Sequence, residues 1–194
     1  MTYNDLRAKA AYNAMMVGAN LERADMRGCD LRGINLSNAN LRGADLARAD
    51  LRGAILIKAD LSRANLQLAD LQNADMSCAD LTGAYCRRTN FSYARMWLVY
   101  LRRGTFKNAF FLGADMRGAD LAGAECLGAR FDDAITEGLR NADMATYTWW
   151  YNPIGGQKVS LKPIPGWTRM DESVMGGTTV RENSAREKVE QYGD

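Results

Sequence analysis

Apolar residues in this chain recur neither at the 3.6-residue period of a helix nor at the two-residue period of a strand, but at five. Every fifth residue from Leu21 to Phe131 is apolar, 23 positions without an insertion: thirteen Leu, four Met, four Phe and two Cys. Two places earlier, from Ala19 to Ala129, eighteen of 23 residues are Ala, the others being Cys29, Ile34, Thr89, Val99 and Gly104. Between the two, twelve of the thirteen positions from Asn20 to Asp80 are Asp or Asn, with Ile55 the exception. The last two places of each unit are mostly Arg, Ser, Gln, Gly or Asn.

A spacing of two between the Ala and the Leu is strand alternation, and the spacing of three to the next Ala demands a turn. Each unit therefore predicts a very short strand and a corner. One unit cannot bury its apolar pair alone. Coiling the chain stacks Leu on Leu and pairs each side in parallel with the turns above and below, which leaves no lateral sheet edge. A coil of about twenty residues places Leu21, Leu41, Leu61, Leu81, Leu101 and Leu121 in one column and Phe91, Phe111 and Phe131 in another. That grouping favours four sides, although the period alone does not fix their number.

Units such as "ADLAR", "ADLRG", "ANLQL" and "ADLTG" resemble the pentapeptide-repeat family over residues 19–133. The resemblance implies an all-β fold, a right-handed quadrilateral parallel β-helix. On this reading residues 19–134 form the β-helix and 1–18 an N-terminal cap, with a short helix behind Asn4 or Asp5. Residues 135–170 form a non-repetitive C-terminal cap or docking segment, and 171–194 a polar tail with a short helix after Asn183 or Ser184. Three of the four Trp and all three Pro fall within 146–167. This stretch, with Trp149 and Trp150, is expected to cover the last coil; the alternative is a homodimer through the same end, which is common in proteins of this resemblance.

Candidate chemistry is sparse. Histidine is absent, which removes the usual neutral-pH base and the commonest metal ligand. The four Cys form no C-x-x-C pair and are expected to be reduced. Cys86 and Cys126 fall in one inward column two coils apart, about 10 Å, too far for a disulfide. Cys29 occupies an inward place and is expected in the core; Cys78, at a corner, is the candidate accessible thiol. Outward carboxylates repeat as a ladder, which is poor material for a tuned acid–base pair. We expect no catalytic residue, no cofactor and no metal, and therefore not an enzyme. With no apolar stretch long enough to span a bilayer, the protein is expected to be soluble and cytoplasmic, without a membrane partner.

Charge redirects attention to one window. The whole chain is nearly neutral, at +2, but no Asp or Glu occurs between Asp80 and Asp115. Arg87, Arg88, Arg95, Arg102, Arg103 and Lys107 lie there, interleaved with Tyr85, Tyr93, Trp97, Tyr100 and Phe110. Tyr85, Arg95, Tyr100, Thr105 and Phe110 also replace the Asp or Asn of the repeat. The candidate partner-binding residues are therefore Arg87, Arg88, Tyr93, Arg95, Trp97, Leu98, Tyr100, Arg102, Arg103 and Lys107, with Trp149 and Trp150 from the C-terminal segment. Ile55, Ile57, Trp97 and Leu98 are expected to share one side as a docking strip.

These features suggest a rigid rod that docks a protein partner, with a larger cellular or viral assembly as one setting for it. Direct nucleic-acid binding through the basic–aromatic belt is an alternative. The family resemblance adds another, since some members mimic duplex DNA at the DNA site of DNA gyrase and confer quinolone resistance. That mimicry needs a strongly negative surface, and residues 19–134 carry sixteen basic and fourteen acidic residues.

Overall fold

The computed structural model describes residues 16–141. Every isolated bridge is parallel and joins a residue to the one twenty places on, from Asn20↔Asn40 to Asp120↔Arg140. A five-residue unit with an offset of 20 means four sides per coil. We number the faces by their outward columns. Face 1 carries Asn20, Asn40, Asp60, Asp80, Tyr100, Asp120 and Arg140; face 2 carries Asp25, Asp45, Asn65, Tyr85, Thr105 and Glu125. Face 3 carries Asp30, Asp50, Asp70, Asn90, Phe110 and Arg130; face 4 carries Asn35, Ile55, Asp75, Arg95, Asp115 and Ile135.

One unit shows why the repeat reads as it does. In 44–48, the Ala44 N–H closes the preceding turn on the Leu41 carbonyl at 3.0 Å. Asp45 donates back one coil to Ala24 (2.9 Å), while Leu46 and Arg48 donate forward to Asn65 (2.8 Å) and Gln67 (2.9 Å). Only the Ala47 N–H lacks a backbone acceptor, and the Asp45 carboxylate takes it at 3.1 Å. A short side-chain oxygen two residues upstream is what that donor needs, which selects Asp or Asn before each Leu.

The last residue of each unit turns the corner. Every fifth residue from Gly18 to Gly138 has a φ between 53° and 69°. Glycine takes that conformation at no steric cost, but Leu68, Tyr93, Leu98 and several arginines also hold it, where a bulky side chain is strained.

The interior is filled. Leu41, Leu61, Leu81, Leu101 and Leu121 are fully buried in one column, and Phe91, Phe111 and Phe131 stack along the axis with centroids 5.0 and 4.7 Å apart. Phe106 occupies the place between Cys86 and Cys126 in their column, and all four cysteines are free thiols. Thr89, buried at an Ala place, donates its hydroxyl to the Leu66 carbonyl at 2.6 Å.

Two expectations need revision. Cys29 is exposed rather than buried: its coil has a neighbour on only one side among the described residues, so Leu21 and Ala24 are also only half-buried and closure begins at Ile34. The coil also runs on past residue 134, because Ile135 and Arg140 still pair with Asp115 and Asp120. Thr136 at the apolar place hid that unit from the sequence pattern. Of the N-terminal cap expected over residues 1–18, residues 1–15 lie outside the described residues, as do the features expected beyond 141, including Trp149 and Trp150.

Candidate interaction surfaces

A window of twenty residues is one coil, so the Asp-free segment encircles the rod. Arg87 and Arg88 lie on the edge between faces 2 and 3, with Lys107 one coil further on. Tyr93 lies on the edge between faces 3 and 4, and Arg95 in the middle of face 4. Trp97 and Leu98 lie on the edge between faces 4 and 1, Tyr100 in the middle of face 1, and Arg102 and Arg103 on the edge between faces 1 and 2.

Three clusters form. On the first, the Arg117 guanidinium sits 4.8 Å from the Trp97 ring while its Nε and Nη2 hold the Asp115 carboxylate at 2.9 and 2.7 Å. Those bonds, and one from Trp97, keep the Asp115 carboxyl below its usual range against the opposing effect of burial. On the second, Arg102 lies 5.0 Å from the Tyr100 ring and grips the buried Asp120 at 2.7 and 2.6 Å. On the third, Lys107 pairs with Glu125 at 3.0 Å. Arg95 approaches Asp75 at 3.6 Å. Arg87, Arg88 and Arg103 have no acidic partner among the described residues. The strip expected from Ile55, Ile57, Trp97 and Leu98 is interrupted, with Asp75 between Ile55 and Arg95 and with Ser77 and Cys78 before Trp97 and Leu98.

Replacing the ladder has a backbone consequence that the sequence did not reveal. With Tyr85, Arg95, Tyr100, Thr105 and Phe110 in the Asp/Asn place, the N–H groups of Arg87, Trp97, Arg102, Lys107 and Leu112 have no side-chain acceptor among the described residues. Every Asp or Asn in that place elsewhere makes the bond, as Asp80 does to Thr82 at 2.8 Å and Asn90 to Ser92 at 3.1 Å. This coil thus presents bare donors beside cations and aromatic rings.

Among the described residues no group of three or more Cys, Asp or Glu is placed to hold a metal ion, and no helix is long and apolar enough to cross a membrane. One open depression among the described residues is lined by Thr82, Arg102, Arg103, Ala122 and Asn141. The buried Cys86 and Cys126 thiols are raised by desolvation, Cys126 to about 12, which makes them inert.

This chain belongs to the pentapeptide-repeat family: the model for pentapeptide repeats matches in 8 copies over residues 12–43, 44–83, 69–108 and 101–135. Members fold as right-handed quadrilateral β-helices, and the four-sided coil above is that architecture. Among solved structures it is similar to the pentapeptide repeat protein Rfr23 from the cyanobacterium Cyanothece 51142, at 25% identity, covering 64% of this chain and 91% of that one, with a TM-score of 0.36. HetL from Nostoc sp. strain PCC 7120, involved in regulating heterocyst differentiation, is 26% identical over 69% of this chain and 72% of its own, with a TM-score of 0.28. QnrB1, a plasmid-mediated fluoroquinolone resistance protein, is 23% identical over 67% and 80%, with a TM-score of 0.38. No curated protein matches the chain by sequence.

Proposed function

We propose that the protein is a non-enzymatic interaction scaffold, a rigid rod that docks a protein partner through the coil around residues 85–110 together with the C-terminal segment, and that it works in the cytoplasm. The observation that carries this reading is the local loss of the Asp/Asn ladder. A ladder that runs nearly unbroken from Asn20 to Asp80, with Ile55 its one gap, exchanges its corner acceptors for Tyr85, Arg95, Tyr100, Thr105 and Phe110. It thereby gives up five side-chain-to-backbone bonds and exposes large aromatic surface. A purely structural rod gains nothing from that exchange, whereas a contact surface gains donors and apolar area.

The gyrase-directed alternative needs a row of unneutralised carboxylates. On face 3 the Asp30 and Asp50 carboxylates are instead held by Arg32 and Arg52, each at 2.6 Å, which weakens that reading. The deciding experiment is affinity capture from the source cells with the full-length chain and with Tyr93→Ser/Trp97→Ala, eluates being analysed by mass spectrometry. A protein retained by the wild type and lost from the variant supports the scaffold; a wild-type chain that retains none overturns it. A supercoiling assay with purified gyrase at saturating protein tests the alternative.

A further inference from the structure

Sorting the arginines by face rather than along the sequence exposes an asymmetry, which Lys58, on the edge between faces 4 and 1, does not share. Arg42, Arg48, Arg63, Arg87, Arg88 and Arg103 form no ion pair with an acidic residue among the described residues, and all lie on the two edges that border face 2. The other arginines of the described coils have partners: Arg27, Arg32, Arg52, Arg117 and Arg130 pair with carboxylates within about two residues in sequence, and Arg102 reaches across to Asp120. Arg23, on the same edge as Arg63, comes within 3.8 Å of Glu22, Arg95 within 3.6 Å of Asp75, and Arg140 donates to the Gly118 carbonyl.

A second observation is independent of charge. The arginines held at positive φ are Arg23, Arg48, Arg63, Arg88 and Arg103, and they occupy the same two edges. On one edge they alternate with glycine, Arg23, Gly43, Arg63, Gly83, Arg103, Gly123, each arginine stem lying over the glycine of the next coil, 3.5–3.7 Å from where a Cβ would stand. Glycine would hold every one of these corners without strain, so a strained arginine at alternate coils is kept for what its guanidinium does.

Between these edges the outward column is uncharged over three coils, Asn65, Tyr85 and Thr105, and acidic beyond both ends at Asp45 and Glu125. Tyr85 is 54% exposed, and Leu68 on the adjoining edge is 47% exposed. We propose that this window of face 2, with Tyr85 and Leu68 as apolar anchors and Arg63, Arg87, Arg88 and Arg103 around them, binds an acidic amphipathic segment of a partner protein. The inference rests on the scaffold reading above and names its surface and partner.

The bounded shape decides between polyanions. Three coils span about 14 Å at the spacing of stacked strands, and carboxylates close both ends. A nucleic-acid strand runs on past such limits and calls for successive stacking platforms, where this face offers one tyrosine. A short helix fits: two turns advance about 10.8 Å, close to the roughly 9.6 Å between Arg63 and Arg103 two coils apart. Glu or Asp at matching turns then meets guanidinium forks while apolar residues between them cover Tyr85 and Leu68.

The test uses the full chain and a variant that glycine makes benign, Arg63→Gly/Arg88→Gly/Arg103→Gly, since glycine already occupies neighbouring corners of both columns. The probes are a fluorescein-labelled helical peptide with Glu one and two turns apart and Leu between, its Gln counterpart, and a labelled twenty-residue oligothymidylate, measured by anisotropy at low and high salt. Saturable binding of the Glu peptide, at least about tenfold weaker for the Gln peptide and for the triple variant, is expected. Equal binding by wild type and variant, no binding at low salt, or tighter binding of the oligothymidylate would each overturn the proposal. Affinity capture with the same variant separates the two levels: a cellular protein retained equally by wild type and variant sinks the face 2 site and leaves the scaffold standing, whereas a wild type that retains none sinks the scaffold.

Discussion

Arg102 reaches from one coil to the next and holds the Asp120 carboxylate through Nε at 2.7 Å and Nη2 at 2.6 Å, although Asp120 is only 1% exposed. The same carboxylate accepts the Ala122 N–H at 3.1 Å and the Asn141 side-chain amide at 2.9 Å. Burial alone would raise its pKa; the bonds from Asn141, Arg102 and Ala122 outweigh it, and the net direction is down. A carboxylate depressed in the folded state contributes stability above the unfolded carboxylate pKa, and that contribution is lost as pH falls through the lower, folded value.

Asp120→Asn is therefore expected to destabilise the rod at pH 7 by about 1–3 kcal/mol. It should also flatten the acid limb of a plot of melting temperature against pH, as pH falls below the ordinary carboxylate range. Asp25 is held at about 2 by Arg27 but its side chain is exposed, so Asp25→Asn should barely change that limb. Thermal melts followed by circular dichroism across this range check both. A parallel shift of the Asp120→Asn curve, with no change in slope, would mean that the depressed carboxylate is not what titrates.

Phe106 is accommodated by a missing methyl group. A Cβ on Gly104 would lie 2.6 and 2.8 Å from ring carbons of Phe106, which is fully buried and in contact with Phe91 and Phe111 at centroid distances of 6.2 and 5.9 Å. The ring cannot yield, so Gly104→Ala should cost about 1–3 kcal/mol. Adding Phe106→Leu should recover part of that loss, and the non-additivity is read from a double-mutant cycle of denaturant midpoints. Simple additivity would mean that the two residues do not share a layer.

Thiol reactivity sorts the cysteines by their depth in the coil. Cys29 is exposed and Cys78 half-buried, whereas Cys86 and Cys126 are fully buried with raised pKa values. A thiol reagent at neutral pH should label Cys29 quickly and Cys78 more slowly, and reach the other two only when denaturant unfolds the chain. Peptide mapping after timed labelling reads the order. Early labelling of Cys86 would contradict the closed column in which Phe106 separates it from Cys126.

Much of the architecture is legible in the sequence because each backbone requirement recurs at a fixed place. Ala and Leu alternate where the strand faces inward, and Asp or Asn stands where one N–H needs a side-chain acceptor. What escaped the linear reading are properties of neighbours twenty residues away. Cys29 matches the inward pattern, yet among the described residues its coil has a neighbour on one side only. Thr136 broke the apolar count although Ile135 still pairs with Asp115. The basic window around residues 87–107 looked like one surface because it is contiguous in sequence, whereas a coil distributes it over four faces. Reading every twentieth residue carries the missing signal: Arg23, Gly43, Arg63, Gly83, Arg103 and Gly123 show their alternation only in that register.

The same register governs the corners, and glycine substitutions can measure it. Gly53 and Gly113 lie in one edge column with φ of +65° and +57°, so an alanine at either suffers the left-handed penalty of about 1–2 kcal/mol. Their surroundings differ. A Cβ at Gly53 meets nothing within 4 Å, whereas one at Gly113 lies 2.7 and 2.8 Å from ring carbons of Tyr93, one coil before it. Gly113→Ala should accordingly be the more destabilising of the two, by up to about 1 kcal/mol since the exposed tyrosine can swing partly aside. In a Tyr93→Gly background the two alanine variants should become equivalent, because only the backbone penalty remains. A difference that survives the loss of Tyr93 would mean that residues twenty apart at this corner do not lie over one another, and the alignment of arginines and glycines on the edges of face 2 would fall with it.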